Sequence, residues 1–367
     1  MGFKRAYSML QGIDPWIVIP TLLLFTTSIV VLFSIDHATG GGDRAAKQVI
    51  FAAIGLALFA GLSFIRTATF EAFGPWVFVL AVLLLLAVLL FGQTINGTTG
   101  WFVLGPISFQ PVELVKICFI WTLSWYLSRL DGQTFSWKPI LLSFALLVGL
   151  VGLVLLQPDF GSSMMLVAIW LGMIVLVHRT KWHLGIVALG IVVTVVVGWF
   201  LLADYQQNRL LTFMNPDLDP LGSGYNVQQS IIATGSGGWF GRGLGLGPQS
   251  QLHFLPEQST DFIFSVIGEE LGFLGGGTVL VVYLVLLWRL NLVSRLASGS
   301  FGSLMAHGVL IYFLGQVCIN VGMNLGLAPV TGLPLPLVSA GGSSIIASCI
   351  GLGLVQSAAK TARPRQT

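Results

Sequence analysis

Residues 262–288 read FIFSVIGEELGFLGGGTVLVVYLVLLW, and this run decides the fold. It carries only two charges, Glu269 and Glu270. Its apolar residues are continuous rather than alternating, which suits neither a half-buried strand nor a strand of a membrane barrel. A helix needs about 20 apolar residues to cross the ~30 Å hydrocarbon core of a bilayer. The surplus length, with glycines at 272 and 275–277, predicts a helix that is tilted or broken near its start.

Working outward, nine more apolar segments lie near 16–34, 48–65, 75–92, 110–128, 139–156, 162–177, 184–203, 304–326 and 341–359. Hydrophobic residues make up 55% of the 367 and charged residues only 8%, so a soluble domain with a polar shell is excluded. The fold class expected is an all-α polytopic membrane protein, one bundle of ten transmembrane helices filling residues 16–359. A short N-terminal segment, 1–15, and a tail, 360–367, flank it. The first run lacks a small-residue cleavage site and reads as an anchor that is retained. Cys118, Cys318 and Cys349 fall inside apolar runs without metal-ligand spacing and read as buried packing thiols.

Lysine and arginine placement sets the expected orientation. With the N-terminus inside, twelve fall on the cytoplasmic side, four (Arg44, Lys47, Arg209, Arg242) fall outside, and Lys116 lies within a segment. Both termini are therefore expected in the cytoplasm. The net charge of +3 then reflects topology and gives no reason to invoke nucleic acid.

The same orientation puts the long loop 204–261 outside. The stretch from Asp204 to Glu270 holds seven of the fourteen acidic residues. Within it Val227–Thr234 is amphipathic enough to lie along a membrane surface. The glycine-rich GSGGWFGRGLGLG, 235–247, lacks the GK[ST] ending of a P-loop and follows no strand, so no nucleotide site is expected. It reads as a flexible loop or as a nest of backbone amides for a phosphate.

Several residues are candidates for chemistry. Asp261, where the loop enters the 262–288 helix, suits either a helix cap or a general base at the outer mouth of the bundle. Glu113 and Lys116, three residues apart in one apolar segment, share a helix face. Ionisable residues at such depth normally face the bundle interior and pair. They form a salt bridge, or Lys116 reaches a phosphate or fixes the carboxylate in a polar cavity. Gln157-Pro158-Asp159 ends the fifth segment; Asp159 either caps the next helix or lines a cavity. Arg209 and Arg242 are either solvated or headgroup-bound loop arginines or the external anion partners, since guanidinium matches phosphate oxygens in pairs, and Arg209 is the better candidate. The five histidines show no zinc spacing, whereas a divalent cation such as Mg or Mn, shared between carboxylates and substrate phosphates, fits an acidic outer loop.

Four blocks now carry a resemblance. They are GWFVLGPISFQPVELVK from Gly100, QPDFG from Gln157, the region with NPDLDPLGSGYN and FLPEQSTDFIFSVIGEELGFLG, and PVTGLPLPLVSAGGSS from Pro329. In order and spacing the chain resembles the shape, elongation, division and sporulation (SEDS) membrane proteins of bacteria. The details DYQQNRLL, GPQSQLHFLPE and LPLVS lean toward the elongation branch of that family, with the division branch as the near alternative. The resemblance implies a peptidoglycan glycosyltransferase of the cytoplasmic membrane, acting on lipid II, a disaccharide-pentapeptide on undecaprenyl pyrophosphate. Asp261 matches the family's essential aspartate and would act as general base. Glu113 and Lys116 match its charged pair, and Arg209 its arginine before the NP…DP block. Gln110, Asp159, Glu257 and Ser343 fall in matched blocks as cavity or substrate residues, beside Arg242. The partners implied are a class B penicillin-binding protein, whose transpeptidase cross-links the strand, and other proteins of the cell-elongation complex. Two positions depart from the family pattern: Gly100 precedes Trp101 where a basic residue is usual, and Ala340 stands where an aromatic is usual.

Two other functions compete. A lipid II flippase would use Glu113 and Lys116 near the midplane during alternating access. A scaffold for a cell-wall complex would leave both the buried pair and Asp261 without a role.

Overall fold

A computed structural model describes residues 13–38, 41–95, 97–105, 107–130, 137–177, 207, 211–213, 222–252 and 254–360. The segment expected at 184–203, and Arg209, lie outside the described residues. The chain is predominantly helical. The long helices are α1 Pro15–Ala38, α2 Arg44–Ser63, α4 Gly74–Phe91, α5 Pro111–Ser128, α6 Trp137–Leu155, α7 Phe160–Val177, α10 Ile263–Leu296, α11 Ser300–Asn324 and α12 Gly342–Ala359. Shorter ones are α3 Thr67–Ala72, α8 Ser223–Ser236 and α9 Pro248–Gln251. Among the described residues seven helices (α1, α2, α4, α6, α10, α11 and α12) are long and apolar enough to cross a membrane.

α5 is not among the seven, for a reason visible in its sequence. It carries Glu113 and Lys116, and it lies inside the bundle against α4, α7, α11 and α12. Val115, Phe119, Ile120 and Leu123 on it are fully buried, as are neighbours such as Met173 and Tyr312. The outer helices instead turn residues such as Phe33, Leu83, Phe91 and Leu284 outward, as lipid-facing surfaces do.

The break expected in the 262–288 run occurs at Gly272, whose φ of 68° and ψ of −166° interrupt α10. A Cβ there would stand 2.2 Å from the backbone nitrogen of Gly241, so the break exists where the glycine-rich loop presses in.

Two expectations need correction. Helices alone do not account for residues 93–109, which form an antiparallel sheet of β1 Gln93–Ile95, β2 Thr98–Leu104 and β3 Ile107–Phe109. Ile95 pairs with Thr98, Gly97 has a φ of 81°, and Phe102 pairs with Phe109. An Asn-Gly pair between β-branched residues is a hairpin signal that the surrounding apolar runs overshadowed. Of the three cysteines, Cys118 and Cys349 are buried as expected, but Cys318 is exposed on the outer face of α11.

The amphipathic stretch 227–234 lies within α8. This helix packs on α10 and α11 through buried Ser230 and Ala233 while Ile231 and Ile232 stay exposed.

Candidate active site

A cavity of about 290 Å³ opens where five pieces of chain meet: the β1–β3 sheet, the starts of α5 and α7, the turn before α10, and the segment 330–344. Among the described residues its charged lining is acidic throughout: Glu113, Asp159, Glu257 and Asp261.

Glu113 enters from the first turn of α5. Its Oε1 lies 2.7 Å from Lys116 Nζ, and the two side chains are 2% and 0% exposed. Such burial makes pairing obligatory, because a lone charge there would cost several kcal/mol. Lys116 stands behind Glu113 rather than in the lining, with the Tyr312 ring 5.7 Å away. Tyr312 Oη and Gln316 Nε2 each approach Glu113 Oε2 at 3.5 Å, so α11 completes the surround.

Gln110, Asp159 and Ser343 form one hydrogen-bonded wall. The Gln110 N–H donates to Ser343 Oγ at 2.7 Å, which ties the start of α5 to the start of α12. Gln110 Nε2 donates to Asp159 Oδ2 at 3.2 Å. Asp159 also accepts from the Ser162 N–H at 2.9 Å and the Ser162 hydroxyl at 2.8 Å, so it caps α7 while facing the cavity. The two readings of this residue are therefore compatible. Burial pushes its carboxyl above the usual range, opposed by the Ser162 bonds and Lys116 and reinforced by nearby Glu113.

Asp261 is not at the helix cap. α10 starts at Ile263, and Phe262 holds the cap position. Half-buried, Asp261 sits in a turn that its N–H closes on Glu257 O at 3.1 Å, and it lines the cavity. Its own carbonyl accepts from Asn320 Nδ2 at 3.0 Å and Asn324 Nδ2 at 2.9 Å. Glu257, exposed at the rim, accepts from the Thr260 hydroxyl at 3.1 Å.

Arg242 does not join this group. Its Nε donates to Ser236 O at 2.9 Å, and it lies in the glycine-rich loop away from the cavity lining. Several amides of that loop turn inward rather than toward a phosphate. The N–H groups of Arg242 and Gly243 donate to the carbonyls of Glu269 and Glu270, and Gly245 N–H donates to Glu270 Oε1 at 3.1 Å. Glu269 accepts from Gln249 and Ser250 N–H at 2.7 and 3.0 Å. The two acids of α10 are thus loop anchors.

Among the described residues no three His, Cys, Asp or Glu converge to hold a metal ion. Both departures from the family pattern fall at the cavity: Gly100 precedes the lining residue Trp101, and Ala340 lines it directly. Sequence reasoning missed the sheet residues Thr98, Trp101 and Ser108. It also missed Gln316, Asn320 and Asn324, although three amides four residues apart on an apolar helix announce a polar face.

The sequence model of the family described as cell cycle protein (FtsW, RodA, SpoVE) matches residues 14–364. The chain is 36% identical over 357 residues to the peptidoglycan glycosyltransferase MrdB of Escherichia coli (strain K12), covering 96% of this chain and 95% of that one. It is 39% identical over 315 residues to the probable peptidoglycan glycosyltransferase FtsW of Nitrosococcus halophilus, covering 84% and 81%. Two solved structures resemble the fold. One is a chain from a study of structural coordination of polymerization and crosslinking by a peptidoglycan synthase complex. It has a TM-score of 0.80 and 31% identity over 97% of this chain and 99% of that chain. The other is the rod shape determining protein RodA of Thermus thermophilus, with a TM-score of 0.71 and 29% identity over 95% and 96%. With the family matched almost from end to end, and the relatives alike over most of both chains, the chain belongs to the FtsW–RodA–SpoVE family of cell cycle proteins.

Proposed function

We propose that this protein is a peptidoglycan glycosyltransferase that polymerises lipid II in the bacterial cytoplasmic membrane. The observation that carries the proposal is the cavity that gathers Asp261, Glu113, Asp159, Gln110, Glu257 and Ser343 at the ends of four helices. The names of the similar proteins support it independently. Asp261 acts as general base and takes the proton of the acceptor GlcNAc 4-hydroxyl. The oxygen attacks C1 of the donor MurNAc as the bond from C1 to the pyrophosphate oxygen breaks. Undecaprenyl pyrophosphate leaves, and a β-1,4 linkage is formed. The pyrophosphate bond supplies the driving force, so no nucleotide is required.

The described cavity lining contains four carboxylates and no Lys or Arg. An anionic leaving group therefore needs positive charge from elsewhere. Arg209 is one source. A divalent cation arriving with the pyrophosphate is another, since Mg²⁺ takes only one or two protein carboxylates beside substrate phosphates.

We further infer ten transmembrane helices, cytoplasmic termini, and the cavity with loop 204–261 on the outer side, on the basis of lysine and arginine placement. The loop motifs support a role in elongation over division, with a class B penicillin-binding protein as cross-linking partner. The testing experiment supplies lipid II to the purified protein with that partner and follows glycan strands by gel. Asp261→Ala is expected to abolish the strands; undiminished strands would overturn the general-base assignment. Movement of labelled lipid II across vesicles without any polymer would favour a flippase instead.

A further inference from the structure

Asp261 is held by its main chain, and what holds it comes from other helices. Asn320 and Asn324 stand one turn apart on α11 and are fully buried. Each points an Nδ2 at the Asp261 carbonyl, at 3.0 and 2.9 Å. Asn320 Nδ2 also donates to Leu333 O at 2.8 Å, which joins the 330–344 wall to the same point. Asn324 Oδ1 accepts from the N–H and the hydroxyl of Ser265, at 3.0 and 2.6 Å. Ser265 lies in the first turn of α10, whose N-terminal amides need partners from outside the helix. Phe262, at the cap position, has no side-chain oxygen to supply one. Asn324 therefore caps α10 from a neighbouring helix.

The knot extends to the outer loop. Ser230 of α8, also fully buried, lies 2.6 Å from Ser265 Oγ and donates to Asn324 O at 2.8 Å. The two hydroxyls and Asn324 thus make one closed group of contacts. A packing role alone would be filled more cheaply by apolar side chains, because buried amides cost free energy unless every group is satisfied. Here the amides are satisfied, and both are directed at the carbonyl of Asp261, whose carboxylate enters the cavity from α10's entry turn.

We propose that Asn320 and Asn324 are positioning residues for Asp261: by fixing its carbonyl and the first turn of α10, they set where its carboxylate stands in the cavity. This rests on the reading of Asp261 as general base. The reacting groups must lie within a few tenths of an ångström of the productive geometry, and a displacement near 1 Å costs about 100-fold in rate. The positioning role therefore appears in kcat, while lipid II binding, which uses the rest of the cavity, is spared.

The test uses the full-length protein with its cross-linking partner and lipid II, comparing Asn320→Leu, Asn324→Leu and the milder Asn320→Ser. Each is measured for kcat, for KM and for thermal stability in detergent, beside Asp261→Ala. Where a leucine variant does not fold, Asn320→Ser, which keeps a small polar side chain but cannot span to the carbonyl, decides. The expected result is a fall in kcat of about 10- to 100-fold with KM within about twofold, in folded protein. A normal kcat in any folded variant that has lost its amide would overturn the proposal, and so would a change confined to KM or to thermal stability. Asp261→Ala separates the two readings. Full activity there removes the general base itself, whereas its inactivity beside fully active asparagine variants removes only the positioning role.

Discussion

At the residue scale, the buried pair Glu113–Lys116 and the placement of Asp261 carry most of the proposed chemistry. Lys116→Met leaves the Glu113 charge buried without its cation, and is expected to destabilise the protein by about 3–5 kcal/mol. Adding Glu113→Gln removes the orphaned charge and should recover most of that loss, measured by thermal unfolding in detergent. Stability that is additive across the two substitutions would show that the pair does not act as a unit. Asp261 teaches a related lesson about reading sequences. Its position before an apolar run suits a helix cap equally well, and local sequence alone leaves both uses open. Asn324 caps the same helix from a neighbouring one, which leaves the Asp261 side chain facing the cavity. Glu113 and Lys116 were legible because charge is so expensive in an apolar segment. Gln316, Asn320 and Asn324 are uncharged and less conspicuous, and only their spacing on α11 marks them.

At the element scale, two local devices shape the site. The first is the break in α10. Gly272→Ala must place a Cβ against Gly241 at a φ of 68°, and is expected to cost at least about 1 kcal/mol. A melting temperature equal to that of the unaltered protein would show that the loop yields there. The break was foreseeable from the glycines at 272 and 275–277. What presses on it was not, because the contact joins residues about thirty positions apart. The second device is the β1–β3 sheet, which forms one wall of the cavity with Thr98, Trp101 and Ser108. Trp101→Ala should raise KM for lipid II several-fold with little change in kcat, since the ring lines the cavity but supplies no carboxylate for the proton transfer. An unaltered KM would remove the sheet from substrate contact. Short strands leave little trace where long apolar helices dominate the hydropathy, and here the local signals are the dipeptides Asn96-Gly97 and Gly105-Pro106.

At the scale of the whole molecule, composition and apolar period were enough to indicate a helical membrane protein. Lysine and arginine counts supplied an orientation. That orientation is checkable by replacing the native cysteines and introducing single ones. Leu246→Cys, exposed in the glycine-rich loop, should react with a membrane-impermeant maleimide in intact cells. Ser298→Cys, exposed between α10 and α11, should react only after the membrane is opened. The reverse pattern would invert the topology. What the linear sequence does not show is convergence. The cavity joins residues 110, 159, 257–261 and 330–344, and only the packing of α5 at the centre of the bundle brings them together.

The central claim is that this cavity polymerises lipid II with Asp261 as base. Its most direct test is the yield of glycan strands from lipid II by purified protein with its class B partner, comparing the natural chain with Asp261→Ala. Long strands from the first and none from a folded, lipid II-binding Asp261→Ala protein are the predicted result. Equal strands from both would contradict the account.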